Sequence, residues 1–233
     1  MVVVSVLERA IAALLRFNVS SASERYLELE QQVSQRVEPP YALRLDGVGF
    51  GQALKGYREP RDPVVHAAIV SAATHLVRKF QGVGAWVSSD EINLVVLGPE
   101  NPYGGRVEKL VSVSAGLASS IVTSALNRVL FFDSRVVPLE SAHDAARYII
   151  YRARVAASNF VTKLLQIRGV EPKGGFGERL NAARPLLSLY GDWALLGTSV
   201  VWKWFVRRGK PRRRVVALLG PEPLATALGL HVT

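Results

Sequence analysis

The chain has 233 residues, 49% of them apolar, and carries 29 Lys and Arg against 19 Asp and Glu for a formal net charge of +10. That length and apolar share allow one large domain with a buried core and exclude a largely disordered chain. With no cysteine, disulfides, thiolate zinc sites and cysteine nucleophiles are excluded.

The basic excess favours polyanionic partners, because cations near phosphates release condensed counterions. General surface charge gives the same composition, so the balance alone does not decide. His66, His75, His143 and His231 are too scattered for a metal site. Metal chemistry in this chain therefore rests on oxygen ligands, which suit Mg²⁺ or Mn²⁺.

In chain order, residues 2–15 are apolar but interrupted by Glu8 and Arg9 and followed by Arg16. The run is too short to span a bilayer and lacks the basic leader and cleavage site of a secretory signal. It reads as a short amphipathic helix on a cytoplasmic protein with no membrane partner. Residues 1–37 read as helical, with Tyr26, Leu29 and Val33 apolar in a polar stretch, until Pro39 and Pro40 stop the helix. Residues 41–45 read as a buried strand that ends at Asp46-Gly47 and the glycine-spaced loop to Gly51. Pro60 and Pro63 flank a loop, and Asp62-Pro63 starts a helix over 64–80.

A hairpin follows, with strands at 82–87 and 92–97 around Ser88-Ser89-Asp90-Glu91. Residues 106–126 read as a helix, 131–137 as a strand and 142–167 as a long helix. The order from Tyr41 is β, α, β, β, α, β, which predicts an α+β fold with a ferredoxin-like βαββαβ core. Residues 169–177 are a glycine-rich break, 181–190 a helix, and 198–206 and 215–219 two strands. The turn between those strands carries Arg207, Arg208, Lys210, Arg212, Arg213 and Arg214, six cations in eight residues. A solvated hairpin tip and an RNA contact both stand open for that cluster. This divides the chain into an N-terminal helical segment (1–40), a central α+β domain (41–168) and a helical and β-hairpin extension (169–233) packing on the same domain.

Two acids sit in apolar surroundings. Asp46 ends the first strand, while Asp90 and Glu91 lie at the central hairpin turn. In a ferredoxin-like sheet those two places are neighbours, and carboxylates converging there require a compensating cation. Either acid alone reads equally as an ordinary turn residue. Gly47, Gly49 and Gly51 let backbone approach phosphates, although the pattern lacks the lysine of a phosphate-binding P-loop. Arg44, Arg106, Lys109 and Arg135 flank these elements and could neutralise a triphosphate; surface ion pairs are the alternative for each.

Arg44-Leu45-Asp46-Gly47-Val48-Gly49-Phe50, Ser89-Asp90-Glu91, Arg106-Val107-Glu108-Lys109 and Phe132-Asp133-Ser134-Arg135-Val136-Val137 resemble, in order and spacing, the tRNA-His guanylyltransferase family. The resemblance runs from about Glu24 to Gly169. It implies a palm-like domain that extends RNA in the 3′-to-5′ direction, and a homo-tetramer. It implies two Mg²⁺ ions on Asp46, the Gly47 carbonyl and Asp90, with Glu91 supporting the catalytic pair. Gly47, Val48, Gly49, Phe50 and Ser89 would hold the incoming nucleotide. Arg44, Arg106, Lys109, Arg135 and Asn159 would bind triphosphate or the RNA 5′ end. The substrates implied are ATP, GTP and the acceptor-stem 5′ end of tRNA, in guanylylation of tRNA-His or template-directed 5′ repair. Two features depart from the family: Glu59 stands where a lysine is common, and 157–163 keeps only Asn159 of a histidine-containing helix signature. The second places the chain nearer the guanylyltransferase-like branch. A palm-type nucleotide cyclase and a non-catalytic tRNA-binding module remain as alternatives.

Overall fold

A computed structural model of the chain describes residues 23–25, 28–29 and 34–230. Most of the helix expected over 1–37 lies outside the described residues; 23–25 and 28–29 are helical. The last part of it is not. Arg36 forms an isolated antiparallel bridge with Arg106, and Val37 N donates to Gly105 O at 3.0 Å. Those bonds take the backbone groups a helix would use. Residues 36–233 cluster as one compact unit.

Strand β1 (Tyr41–Gly47) is followed by a one-turn helix α1 (Phe50–Ala53) and the longer α2 (Pro63–Lys79). Then come β2 (Gly84–Ser88), β3 (Glu91–Val96), α3 (Val107–Leu126), β4 (Phe132–Pro138) and α4 (Ala142–Ile167). The chain closes with α5 (Phe176–Leu187), α6 (Trp193–Leu196), β5 (Thr198–Arg207), β6 (Lys210–Leu219) and α7 (Glu222–Ala227). The six strands form one sheet in the order β4-β1-β3-β2-β5-β6, antiparallel at every pairing. The fold is thus mixed α+β, with helices against an antiparallel sheet.

Alternation along the strands sets the layers. Tyr41, Leu43 and Leu45 of β1 point into a core with Ile69 and Leu76 of α2, Phe80 just beyond its end, and Leu110 and Val122 of α3. The opposite face carries Trp86 and Val95, packed with Ile149 of α4 and Leu224 of α7. Each such fully buried side chain contributes about 1.5–3 kcal/mol. By length and composition α3 could cross a membrane; in this fold its buried stripe of Leu110, Ala118 and Val122 packs in the first core.

The expected helix at 181–190 begins earlier, at Phe176. Glu178 Oε2 accepts from Gly175 N at 2.6 Å and closes the first turn. The two C-terminal strands are longer than expected. Their two-residue tip, Arg208-Gly209, has φ of 53° and 71°, the left-handed pair that lets a tight hairpin follow the strand twist.

Candidate active site

The site begins with one backbone bond. Gly47 N, at the end of β1, donates to Asp90 O at 3.1 Å and ties the strand to the β2–β3 turn. Asp46 and Asp90 are thereby brought to one edge of the sheet. Asp46 also stands opposite Glu91 on β3 and Asp133 on β4. Four carboxylates therefore crowd one end of three adjacent strands. Gly47 has no room for a side chain, since a Cβ there would lie 2.6 Å from the Phe50 ring. Phe50 itself is buried, edge-on to Phe132 at 5.0 Å. The side chain of Phe50 packs the floor of the loop, and Val48 N ties the loop to β4 by donating to Phe131 O at 3.0 Å.

Burial first, and then the charges of Asp90, Glu91 and Asp133, push the Asp46 carboxyl above its ordinary range; Arg44 opposes them without offsetting them. Arg44 Nη2 is 3.8 Å from Asp46, an ion pair longer than a hydrogen bond. Glu91 behaves oppositely. Burial alone would raise it, but hydrogen bonds from Arg152 and Asn93 and the charges of Arg152 and Arg44 hold it below the usual carboxylate range. Arg152 Nε donates to Oε1 at 2.9 Å, its Nη2 donates to Oε2, and Arg44 Nε donates to Oε2 at 3.0 Å. Asn93 Nδ2 donates to Oε1 at 2.7 Å and is itself oriented by the Tyr148 hydroxyl at 2.9 Å. With its oxygens so engaged, Glu91 supports the pair by holding Arg44 in place.

Beside Asp90 opens a cavity of about 320 Å³, walled by Phe50, Tyr57, Arg58, Arg61, Lys163 and Trp193. His66 stacks on Trp193 at 4.4 Å and hydrogen-bonds Thr198 Oγ1 at 2.8 Å. Burial, then the charge of Arg61, lowers His66 to about 4, so it is neutral at physiological pH. Glu59, the departure from the family pattern, pairs with Lys163 Nζ at 3.4 Å.

Arg44, Asp46, Gly47, Val48, Gly49, Ser89, Asp90, Glu91 and Arg135 all gather at this edge. Arg135 holds Asp133 through Nη2 at 3.0 and 3.1 Å. Asn159 is exposed on α4, where the spacing 152, 156, 159, 163 puts it on the stripe that carries Arg152 and Lys163. Arg106 and Lys109 are not brought to the acids. Asn101 Oδ1 accepts from the Tyr41 hydroxyl at 3.1 Å, so the turn leading into α3 lies at the start of β1. That is roughly 17 Å along the strand from Asp46. The expectation that they frame the site is corrected: β3 runs away from the acids and delivers α3 to the far end of the sheet.

The residues fit a hard divalent cation. Asp46 and Asp90 are oxygen donors in an excess of negative charge, and the Gly47 carbonyl is adjacent in sequence. Among the described residues no three His, Cys, Asp or Glu side chains form a cage for a metal. Two carboxylates and a carbonyl leave the other positions to water and phosphate oxygens, the usual manner of Mg²⁺.

An antiparallel α+β sheet with paired acids, a glycine loop and a cation-walled cavity at one edge is the architecture of a nucleotide-handling enzyme. The family model described as tRNA-His guanylyltransferase matches residues 22–152. The chain belongs to that family, and it is a nucleotidyltransferase. Among curated proteins none matches it. Its fold is similar to a bacterial tRNA-His guanylyltransferase-like protein in complex with ATP, at 19% identity and TM-score 0.74, over 90% of this chain and 100% of the other. It is also similar to a bacterial protein of that description in complex with GTP, at 19% identity and TM-score 0.71, over 84% and 90%. The tRNA-His guanylyltransferase of Saccharomyces cerevisiae matches at 17% identity and TM-score 0.61, over 80% and 94%.

Proposed function

We propose that the chain is a palm-type, Mg²⁺-dependent 3′–5′ nucleotidyltransferase acting on the 5′ end of tRNA. Its reaction is guanylylation of tRNA-His or template-directed repair of tRNA 5′ ends, with ATP activating a 5′-monophosphate. The observation that carries this is the Gly47 N to Asp90 O bond, which joins the two acids into one edge site. Support for the ferredoxin-like, palm-type reading comes from the strand order and the succession of β1, α2, β2, β3, α3, β4. The ATP and GTP complexes of solved relatives support a nucleotide in the cavity beside Asp90.

Two Mg²⁺ ions on Asp46, the Gly47 carbonyl and Asp90 would supply a lowered pKa for the attacking hydroxyl and charge stabilisation for the transferring phosphoryl group. The chain's own groups do the rest. The backbone of Gly47–Phe50 and Ser89 orients the incoming nucleotide, so that its 3′-hydroxyl faces the activated 5′-phosphate. Arg44 and Arg135, beside the acids, counter the phosphate charge. Glu91 stays ionised and holds Arg44 in position. Arg106 and Lys109, at the other end of the sheet, meet phosphate only on a ligand that extends beyond the edge site.

A 5′-labelled, 5′-truncated tRNA incubated with the protein, Mg²⁺, ATP and all four nucleotides is expected to gain 5′ nucleotides. Asp46→Ala and Asp90→Ala are expected to lose activity by about 10²–10³-fold or more. No extension by the wild-type protein, or unchanged extension by Asp46→Ala, overturns the reading.

A further inference from the structure

Arg61 lines the cavity beside Asp90 and is buried, with 8% of its surface exposed. Its guanidinium makes one long contact, from Nη2 to Ala156 O of α4 at 3.5 Å, which is beyond the ordinary hydrogen-bond range. Nε and Nη1 are buried with no hydrogen-bond partner. Among the described residues no carboxylate forms an ion pair with it. The other two cations of the wall are engaged. Lys163 pairs with Glu59, and Arg58 donates to Leu189 O and lies over the Tyr190 ring at 4.1 Å.

The local fold holds this residue where it is. Asp62, next in the chain, caps α2 through Val64 N and Val65 N and also accepts from Arg58 N. The backbone on both sides of Arg61 is thereby tied down, and its side chain reaches across to α4, 5.8 Å from the Phe160 ring. Burial lowers its pKa to about 10, against the charges of Asp90 and Glu91, which favour the ionised form. It therefore stays protonated at neutral pH. A buried cation with unused donors costs stability in the empty protein. Such a group calls for a ligand that supplies the missing acceptors.

We propose that Arg61 binds phosphate oxygens of a nucleoside triphosphate in this cavity, and that the anion supplies the acceptors its guanidinium lacks. The contact to Ala156 O is long and weak, so a turn about the outer side-chain bonds brings the free donors to the cavity at little cost. Asp90 lies in the same wall. A triphosphate held through a cation on Asp90 therefore has its oxygens beside Arg61, and the two residues grip it from different sides. The guanidinium is already stripped of water, so its attraction for the anion is little screened. Arg61 thus reads the phosphate chain, which is common to every nucleoside triphosphate, and leaves the base to other groups.

This assignment rests on the nucleotide of the proposed reaction, and binding to the full chain without RNA separates the two. ATP, GTP and inorganic tripolyphosphate are titrated, with Mg²⁺, into wild type, Arg61→Met and Arg61→Lys. Arg61→Met is expected to bind all three roughly 10–100-fold more weakly, with the ratio of ATP to GTP affinity unchanged. Arg61→Lys keeps the charge without the planar fork and is expected to recover part of the loss. In 5′ addition, KM for the nucleotide rises and KM for RNA stays put. Without ligand, Arg61→Met is expected to melt higher than wild type, because it removes an unpaired buried charge. An Arg61→Met that melts lower, or that binds ATP as tightly as wild type, makes Arg61 a packing residue and overturns the assignment. A changed ratio of ATP to GTP makes it a base reader and overturns it too. The RNA 5′ phosphate offers the same oxygens, and a rise in KM for RNA alone would place Arg61 there instead. If tripolyphosphate binding depends on Arg61 yet wild type adds no nucleotide to tRNA, the phosphate site stands and the proposed reaction falls.

Discussion

Asp46 and Glu91 face each other across neighbouring strands, yet their surroundings drive their protons in opposite directions. Asp46 is half-buried among other acids and raised; Glu91 is buried between two guanidinium groups and lowered. An acid raised on folding costs stability, a cost complete above its folded pKa that fades as pH falls through the ordinary carboxylate range. Asp46→Asn is therefore expected to melt higher than wild type at neutral pH, with the gap closing on acidification. Added Mg²⁺ is expected to raise the midpoint of wild type and not of the variant; a lower-melting Asp46→Asn would contradict the charge crowding. Glu91 gives the opposite sign. Its stabilisation is present above the unfolded carboxylate pKa and is lost as pH falls through its depressed folded value. Arg152→Ala is expected to cost about 2–3 kcal/mol in neutral urea titrations and less at acid pH, where wild type has lost the same interaction. An equal cost at both pH values would show that Arg152 acts by packing alone. The acids were legible from their apolar neighbours, whereas Arg152 was not. It reaches Glu91 from a helix 61 residues later, and only its i, i+4, i+7, i+11 line with Ala156, Asn159 and Lys163 could have drawn attention to it.

Among the elements, α2 shows how a local signal also shapes the site. Asp62 accepts from Val64 N at 2.8 Å and Val65 N at 3.2 Å, and its other oxygen accepts from Arg58 N at 3.0 Å. One side chain thus caps the helix and pins the loop that walls the cavity. Asp62→Ala is expected to cost about 1 kcal/mol by thermal melting and to raise KM for the nucleotide more than it lowers kcat. A loss of kcat at unchanged KM would separate the loop from nucleotide binding. The Asp62-Pro63 start and the long helix at 142–167 were readable because capping and periodicity are local. Arg106 and Lys109 were misplaced for the converse reason. Chain order does not show which end of a strand a connection returns to, and pairing alone puts them near Tyr41.

Over the whole molecule α4 joins two of the three cores. Its first half, Ala145 to Ala153, packs under the sheet with Trp86 and Leu224. Its second half, Phe160 to Leu165, packs with Ala183 of α5 and Ala194 of α6. The sheet-bound half carries Arg152 to Glu91, and the other half brings Lys163 to the cavity and packs with α6, which supplies Trp193. Beyond α4, the α5–α6 region meets the rest of the fold through side-chain contacts, namely the His66–Trp193 stack, Trp86 Nε1 donating to Leu196 O at 3.2 Å and Arg58 over the Tyr190 ring at 4.1 Å, and through no strand pairing, so it loosens before the strands do. Leu164→Ala removes a side chain with no exposure and is expected to cost about 2–5 kcal/mol. In native-state hydrogen exchange, protection is expected to fall first in Phe176–Leu187 and Trp193–Leu196, with β1 and β3 retaining theirs. Nucleotide binding should then weaken through the cavity wall, while the raised Asp46 carboxyl, measured by its NMR titration, stays where it was. Equal loss of protection in β1 would mean that the third core folds and unfolds with the sheet, and that α4 transmits rather than separates the two.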